Sequence, residues 1–176
     1  MGAITRALAN NITTGGVILP SGINNTSISN VTSLPAGIGG KVLQVVNATY
    51  STEVESNSVT AVDTGLTASI TPSSSSNKIL IDARISGCGK ETNDTYLRIY
   101  LQKDNSNLIL MDEGGGYTGD SGANRVGTVA TTYLDSPSTT STITYKCVFR
   151  SEQNSARVIV NDESSVSTIT LMEIEA

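Results

Sequence analysis

The groups able to do chemistry in this chain are carboxylates, two thiols and several glycine-rich loops, and no imidazole stands among them. Without His, the commonest general base and transition-metal ligand is missing. A glycosidase needs two carboxyls facing each other across a cleft. Asp112-Glu113 and Asp162-Glu163 are sequence neighbours that point to opposite sides of any strand, while Asp94, Asp104, Asp120 and Asp135 read as turn acids. A calcium loop needs alternating oxygen ligands closed by a downstream acid. Asp104-Asn105-Ser106-Asn107 and Gly119-Asp120-Ser121-Gly122 have such fragments without the closing residue. Gly114-Gly115-Gly116 lacks the Lys-Ser/Thr that completes a phosphate cradle, so it reads as a loop tip. Cys88 and Cys147 have no His to activate them. They read as buried free thiols, or as a disulfide if their strands are neighbours in an oxidising setting. The reading therefore assigns no catalytic residue, no cofactor and no metal ligand.

What remains is binding chemistry. Tyr117, in the glycine-rich stretch 112–124, and Tyr133 are candidate stacking contacts for a sugar, although the chain has no Trp. Asn11, Asn24, Asn25, Asn30, Asn47 and Asn93 each begin an N-x-Ser/Thr sequon, which matters only if the chain is glycosylated outside a cell. With 11 Lys plus Arg against 16 Asp plus Glu and no basic cluster, the chain has no row of cations to neutralise phosphates, so nucleic acid is not an expected partner. No stretch approaches the ~20 apolar residues of a membrane-spanning helix, so insertion in a membrane is not expected. The first residues lack the basic start and continuous apolar run of a secretory signal, and Arg6 stands where myristoylation wants Ser or Thr.

From Lys41 onward, short alternating runs recur between turn residues. The clearest is 79–85, where Ile79, Ile81, Ala83 and Ile85 alternate with Leu80, Asp82 and Arg84. Eight similar runs, at 42–48, 64–70, 97–102, 107–111, 126–133, 143–149, 156–160 and 167–174, bring the expected strands to nine. Turn chemistry separates them at 72–77, Gly87-Cys88-Gly89, 104–106, 112–124 and 136–138. No helical pattern alternates with the strands, so pairing is antiparallel and the fold class is an all-β, jelly-roll-like sandwich spanning 41–176. Leu80, Val148, Ile159 and one of the pairs Ile169/Leu171 and Met172/Ile174 fall on outward positions, predicting a second face that needs cover.

Residues 1–40 read differently. Gly15-Gly16, Pro20, Gly22, Pro35 and Gly39-Gly40 break every element, with at most one helical turn near Thr5, and an extended N-terminal arm is expected. Its apolar residues Val17, Ile18, Leu19, Ile23, Ile28, Val31 and Leu34 are too frequent for a disordered tail and need something to pack against. Strand addition to a sibling subunit is one way to supply it.

The strings ITRALANNITTGGV (4–17), GKVLQVV (40–46), ITPSSSSNKILI (70–81) and TLMEI (170–174) together resemble virion structural and tail-fibre-like proteins of aquatic bacteriophages. That resemblance implies a β-rich, self-associating protein of a virion surface or extracellular fibre, with itself, other virion proteins or a host-surface glycan as partners. It carries over no catalytic residue. The expected function is a non-enzymatic structural subunit joined through its arm into a filament or virion appendage. A glycan- or receptor-binding fibre tip and a trimeric capsid decoration protein are the alternatives.

Overall fold

The computed structural model describes residues 41–92, 94–153 and 156–176. The arm residues Val17 to Leu34 and the sequons at Asn11, Asn24, Asn25, Asn30 and Asn93 lie outside them. In chain order the strands are β1 (Val42–Tyr50), β2 (Val54–Ser56), β3 (Val62–Ile70), β4 (Lys78–Lys90), β5 (Leu97–Lys103), β6 (Ser106–Gly115), β7 (Asn124–Asp135), β8 (Ile143–Ser151), β9 (Val158–Val160) and β10 (Ser167–Ile174). One 3-10 turn covers Asp162–Ser164.

All nine expected strands are present, and β2 is a tenth. Three residues are too few to display alternation, and β2 exists only because β9 pairs with it. One sheet runs β1-β10-β4-β9-β2 with β7 on the other side of β4; the second runs β3-β8-β5-β6. Every pairing is antiparallel. β1 and β2 pair with β10 and β9 respectively, so each couple acts as one interrupted strand. With β1/β2 and β9/β10 each counted once, the layers have four strands apiece, and the chain crosses between them at every connection except β5 to β6, in the order of a jelly roll.

The core is the set of inward positions. Ile79, Ile81, Ala83, Ile85, Ile169 and Leu171 of the first sheet meet Leu97, Ile99, Leu101, Ile143, Cys147 and Phe149 of the second. Each fully buried Ile or Leu stabilises the fold by about 1.5–3 kcal/mol.

Three expectations are corrected. Gly87-Cys88-Gly89 is not a turn, because β4 continues to Lys90 through a bulge that sets Ser86 and Gly87 against Thr128 of β7. Gly87 has φ +60, and a Cβ there would lie 2.4 Å from the backbone nitrogen of Asp162. Gly114 and Gly115 belong to β6, so the loop before β7 is shorter than 112–124. Val148 and Ile159 are buried, at 3% and 2% exposure, rather than outward and uncovered.

Glu173 closes one end of the sandwich. Its carboxylate accepts hydrogen bonds from Asn77 Nδ2 (2.6 Å), Ser73 N and Oγ (both 2.7 Å) and Gln44 Nε2 (2.6 Å), tying the serine-rich 71–77 connection to β10 and β1. Burial alone would raise its pKa; the bonds from Asn77, Gln44 and Ser73 outweigh that and hold it at about 2. A carboxyl depressed below its unfolded value stabilises the fold above about pH 4.3 and loses that contribution as pH falls toward 2. Denaturant titrations between pH 7 and pH 2 are expected to show this loss. Glu173→Gln is expected to flatten it while lowering stability at pH 7 by about 1–3 kcal/mol.

Candidate association interface

A strand in a sandwich buries one face in the core and leaves the other for solvent or a partner. The two outer faces here are unlike. On the first sheet, register aligns Val45 of β1, Met172 of β10, Leu80 of β4 and Leu134 of β7 into one row across four strands. With strands about 4.8 Å apart, the row is about 14 Å long. Val45 is 58% and Leu134 47% exposed, while Leu80 and Met172 between them are half-buried. Val42, opposite Ile174, extends the patch at the start of β1. The next rows are polar: Asn47, Thr170, Asp82 and Thr132, then Thr49, Thr168, Arg84 and Ala130. Asp82 and Arg84 bond to each other at 3.2 Å beside a shallow depression that Thr128, Ala130 and Thr132 also line.

The second sheet sets charge on its outer face, beside an apolar row of its own in which Leu110 of β6, 42% exposed, aligns with Tyr100 and Val148. Arg98 bridges Glu113 and Glu152, Glu152 also pairs with Arg150 at 2.8 Å, and the Arg150 guanidinium sits 6.0 Å from the Tyr100 ring centre. Lys146 pairs with Asp63 at 2.8 Å. Val148 is flanked in register by Tyr100 and Asp63, which explains how an outward apolar position becomes buried.

Every edge strand loses register somewhere: β6 with β5 at three places, β3 with β8 at one, β7 with β4 at two, both before Val129, and β1 with β10 at one, between Val42 and Gln44. β7 has β4 as its only partner among the described residues, and from Val126 to Leu134 it carries no charged residue. β1 is likewise uncharged from Val42 to Tyr50.

The sequence-derived binding residues are scattered. Tyr117 is 54% exposed and stacks edge-on against Tyr96, with ring centres 5.7 Å apart. Tyr133 is half-buried and packs against the core from the far end of β7. Asn47 is exposed, with its amide bonded to Thr170 Oγ1 (2.9 Å) and Ile169 O (3.3 Å). Cys88 and Cys147 are both free and buried, on strands of different sheets. Burial pushes each thiol up to about 12.

Among the acids, Asp135 is no solvated turn residue. It ends β7 and accepts bonds from Tyr145 OH (2.7 Å) and Lys103 Nζ (2.9 Å), joining the two sheets. Asp162 pairs with Arg125, and Asp120 accepts bonds from Gly122 N and Thr118 Oγ1, which help hold its carboxyl below the ordinary range. Sequence reasoning passed over Lys90, which is fully buried and donates to Asp120 O at 2.7 Å, fastening the loop before β7. It also missed Val45 and Leu134, whose meaning depends on register. The available signal was the apolar residue at both odd and even positions of β1, β4 and β10. Among the described residues, no three His, Cys, Asp or Glu side chains gather as a metal site.

No protein-family model matches the chain, and no curated protein matches its sequence. The association surface therefore rests on geometry alone.

Two outcomes follow from the burial seen here. A thiol reagent at pH 8 is expected to leave both cysteines unmodified in the native protein and to label both in denaturant; rapid native labelling would contradict the packing. Lys90→Met is expected to cost about 1–3 kcal/mol and to speed proteolysis between β6 and β7, measured against the intact protein.

Proposed function

We propose that this chain is a non-enzymatic structural subunit of a bacteriophage virion or extracellular fibre, built into an assembly by contacts with copies of itself. The observation that carries this reading is the apolar row Val45–Met172–Leu80–Leu134 on one outer face, opposite a face layered with ion pairs. In this reading the apolar residues of the leading segment, Ile28, Val31 and Leu34 among them, cover the row on a neighbouring copy. The virion surface is the corresponding location, and the resemblance in residues 4–17, 40–46, 70–81 and 170–174 supports the same assignment.

A second reading, a fibre tip that also binds a host glycan, is favoured by one feature: Tyr117 exposed beside Tyr96 on a loop fastened by buried Lys90. It is compatible with the first.

Electron microscopy and sedimentation of the full chain test the structural reading. Filaments or discrete oligomers are expected, and Ile28→Asp with Val31→Asp and Leu34→Asp is expected to reduce their size. Single copies from the unaltered chain at all concentrations would defeat it. Glycan-array binding lost in Tyr117→Ala would establish the tip reading.

A further inference from the structure

The edge of β7 carries a pattern that matches itself. Its outward residues run Thr128, Ala130, Thr132 and Leu134, and from Val129 to Asp135 the strand keeps unbroken register with β4. Thr128, Ala130, Thr132 and Leu134 are all exposed. Set a second β7 antiparallel beside the first, with Ala130 opposite Ala130. Thr128 then faces Thr132 of the partner subunit, and Thr132 faces Thr128 of the partner subunit; the regular stretch stops short of Gly127 (φ 92) and the bulged Val126. Such cross-strand pairs, hydroxyl on hydroxyl, are favourable, and no like charges oppose.

The other edges do not offer this. β6 loses register at three places and β3 at one, while the two shifts of β7 both lie before Val129; what sets β3 and β6 apart is that the charged face of their sheet would meet its own copy. β1 centred on Asn47 would set Val45 against Thr49 and Asn47 against itself, with the Asn47 amide already bonded to β10. An uncharged edge, regular from Val129 to Asp135 and paired only to β4 among the described residues, is the feature that proteins otherwise blunt.

We infer that β7 is a two-fold, antiparallel docking edge for β7 of a second copy of this chain, centred on Ala130, which merges two jelly rolls through one continuous sheet. The contact is isologous and closes as a pair. It rests on the self-association reading above and deepens it, since the leading segment then links pairs rather than single copies.

The register makes a charge-pattern test decisive. In the full chain, Thr128→Lys with Thr132→Lys places the introduced lysines opposite each other across the two-fold axis; Thr128→Lys with Thr132→Glu places opposite charges there. Both sites are exposed, and circular dichroism and thermal melting check that each variant folds. Sedimentation equilibrium is run with the leading segment disabled by Ile28→Asp, Val31→Asp and Leu34→Asp, to isolate the β7 contact. A two-copy species is expected in that background. The lysine pair should weaken it by about tenfold or more, and the lysine–glutamate combination should retain it. Single copies in that background with native β7, or equal behaviour of the two charge patterns, overturns the inference. Failure of the leading-segment reading looks different: those three Asp substitutions would leave the full assembly unchanged.

Discussion

A strand presents side chains to two sides at once, and in this protein only one of those sides can be the shared core. Ile79, Ile81, Ala83 and Ile85 settle the inner side of β4, and the same period commits every strand beside it. The structural question that follows is what becomes of the second side. On the β3-β8-β5-β6 sheet, arginines and carboxylates lie over it, with Val148 enclosed among its neighbours. On the β1-β10-β4-β7 face, the apolar row stays open. Surface ion pairs add little stability individually, so their main consequence is to keep one face in water.

Polar groups inside the sandwich serve to select one arrangement of its ends. Glu173 gathers the 71–77 connection, β1 and β10; Asp135 meets Tyr145 across the sheets; Asn161 bonds Thr52 O and Thr64 O and accepts from Ser167. Each is buried, and an unsatisfied partner there would cost about 1–3 kcal/mol. A slipped strand would leave several such groups unpaired together. Register, which decides whether Val45, Met172, Leu80 and Leu134 align, is therefore held from the ends as well as by the core.

These commitments also bear on function. Asp63, Asp82, Glu55, Glu113, Glu152 and Asp162 pair with Lys or Arg, and Asp135 and Glu173 are engaged inside the fold. The thiols are held protonated by burial on opposing sheets.

The local alphabet of this protein was written plainly in its residues. Period-two runs marked nine strands, the missing helical pattern excluded parallel crossovers, and outward Leu80 with one of the pairs Ile169/Leu171 and Met172/Ile174 announced a face needing cover. Strand β2, the bulge through Gly87 and the burial of Val148 were invisible, because each is set by a neighbour distant in sequence. Of the two candidate sugar contacts, Tyr117 lies in the loop before β7 and Tyr133 within it, half-buried against the core. Alternation is a property of one strand and survives in sequence alone. Alignment of Val45, Met172, Leu80 and Leu134, and the place of β7 at the edge of the described sheet, are properties of four strands in register, which exist only once the hydrogen-bonded sheet has formed.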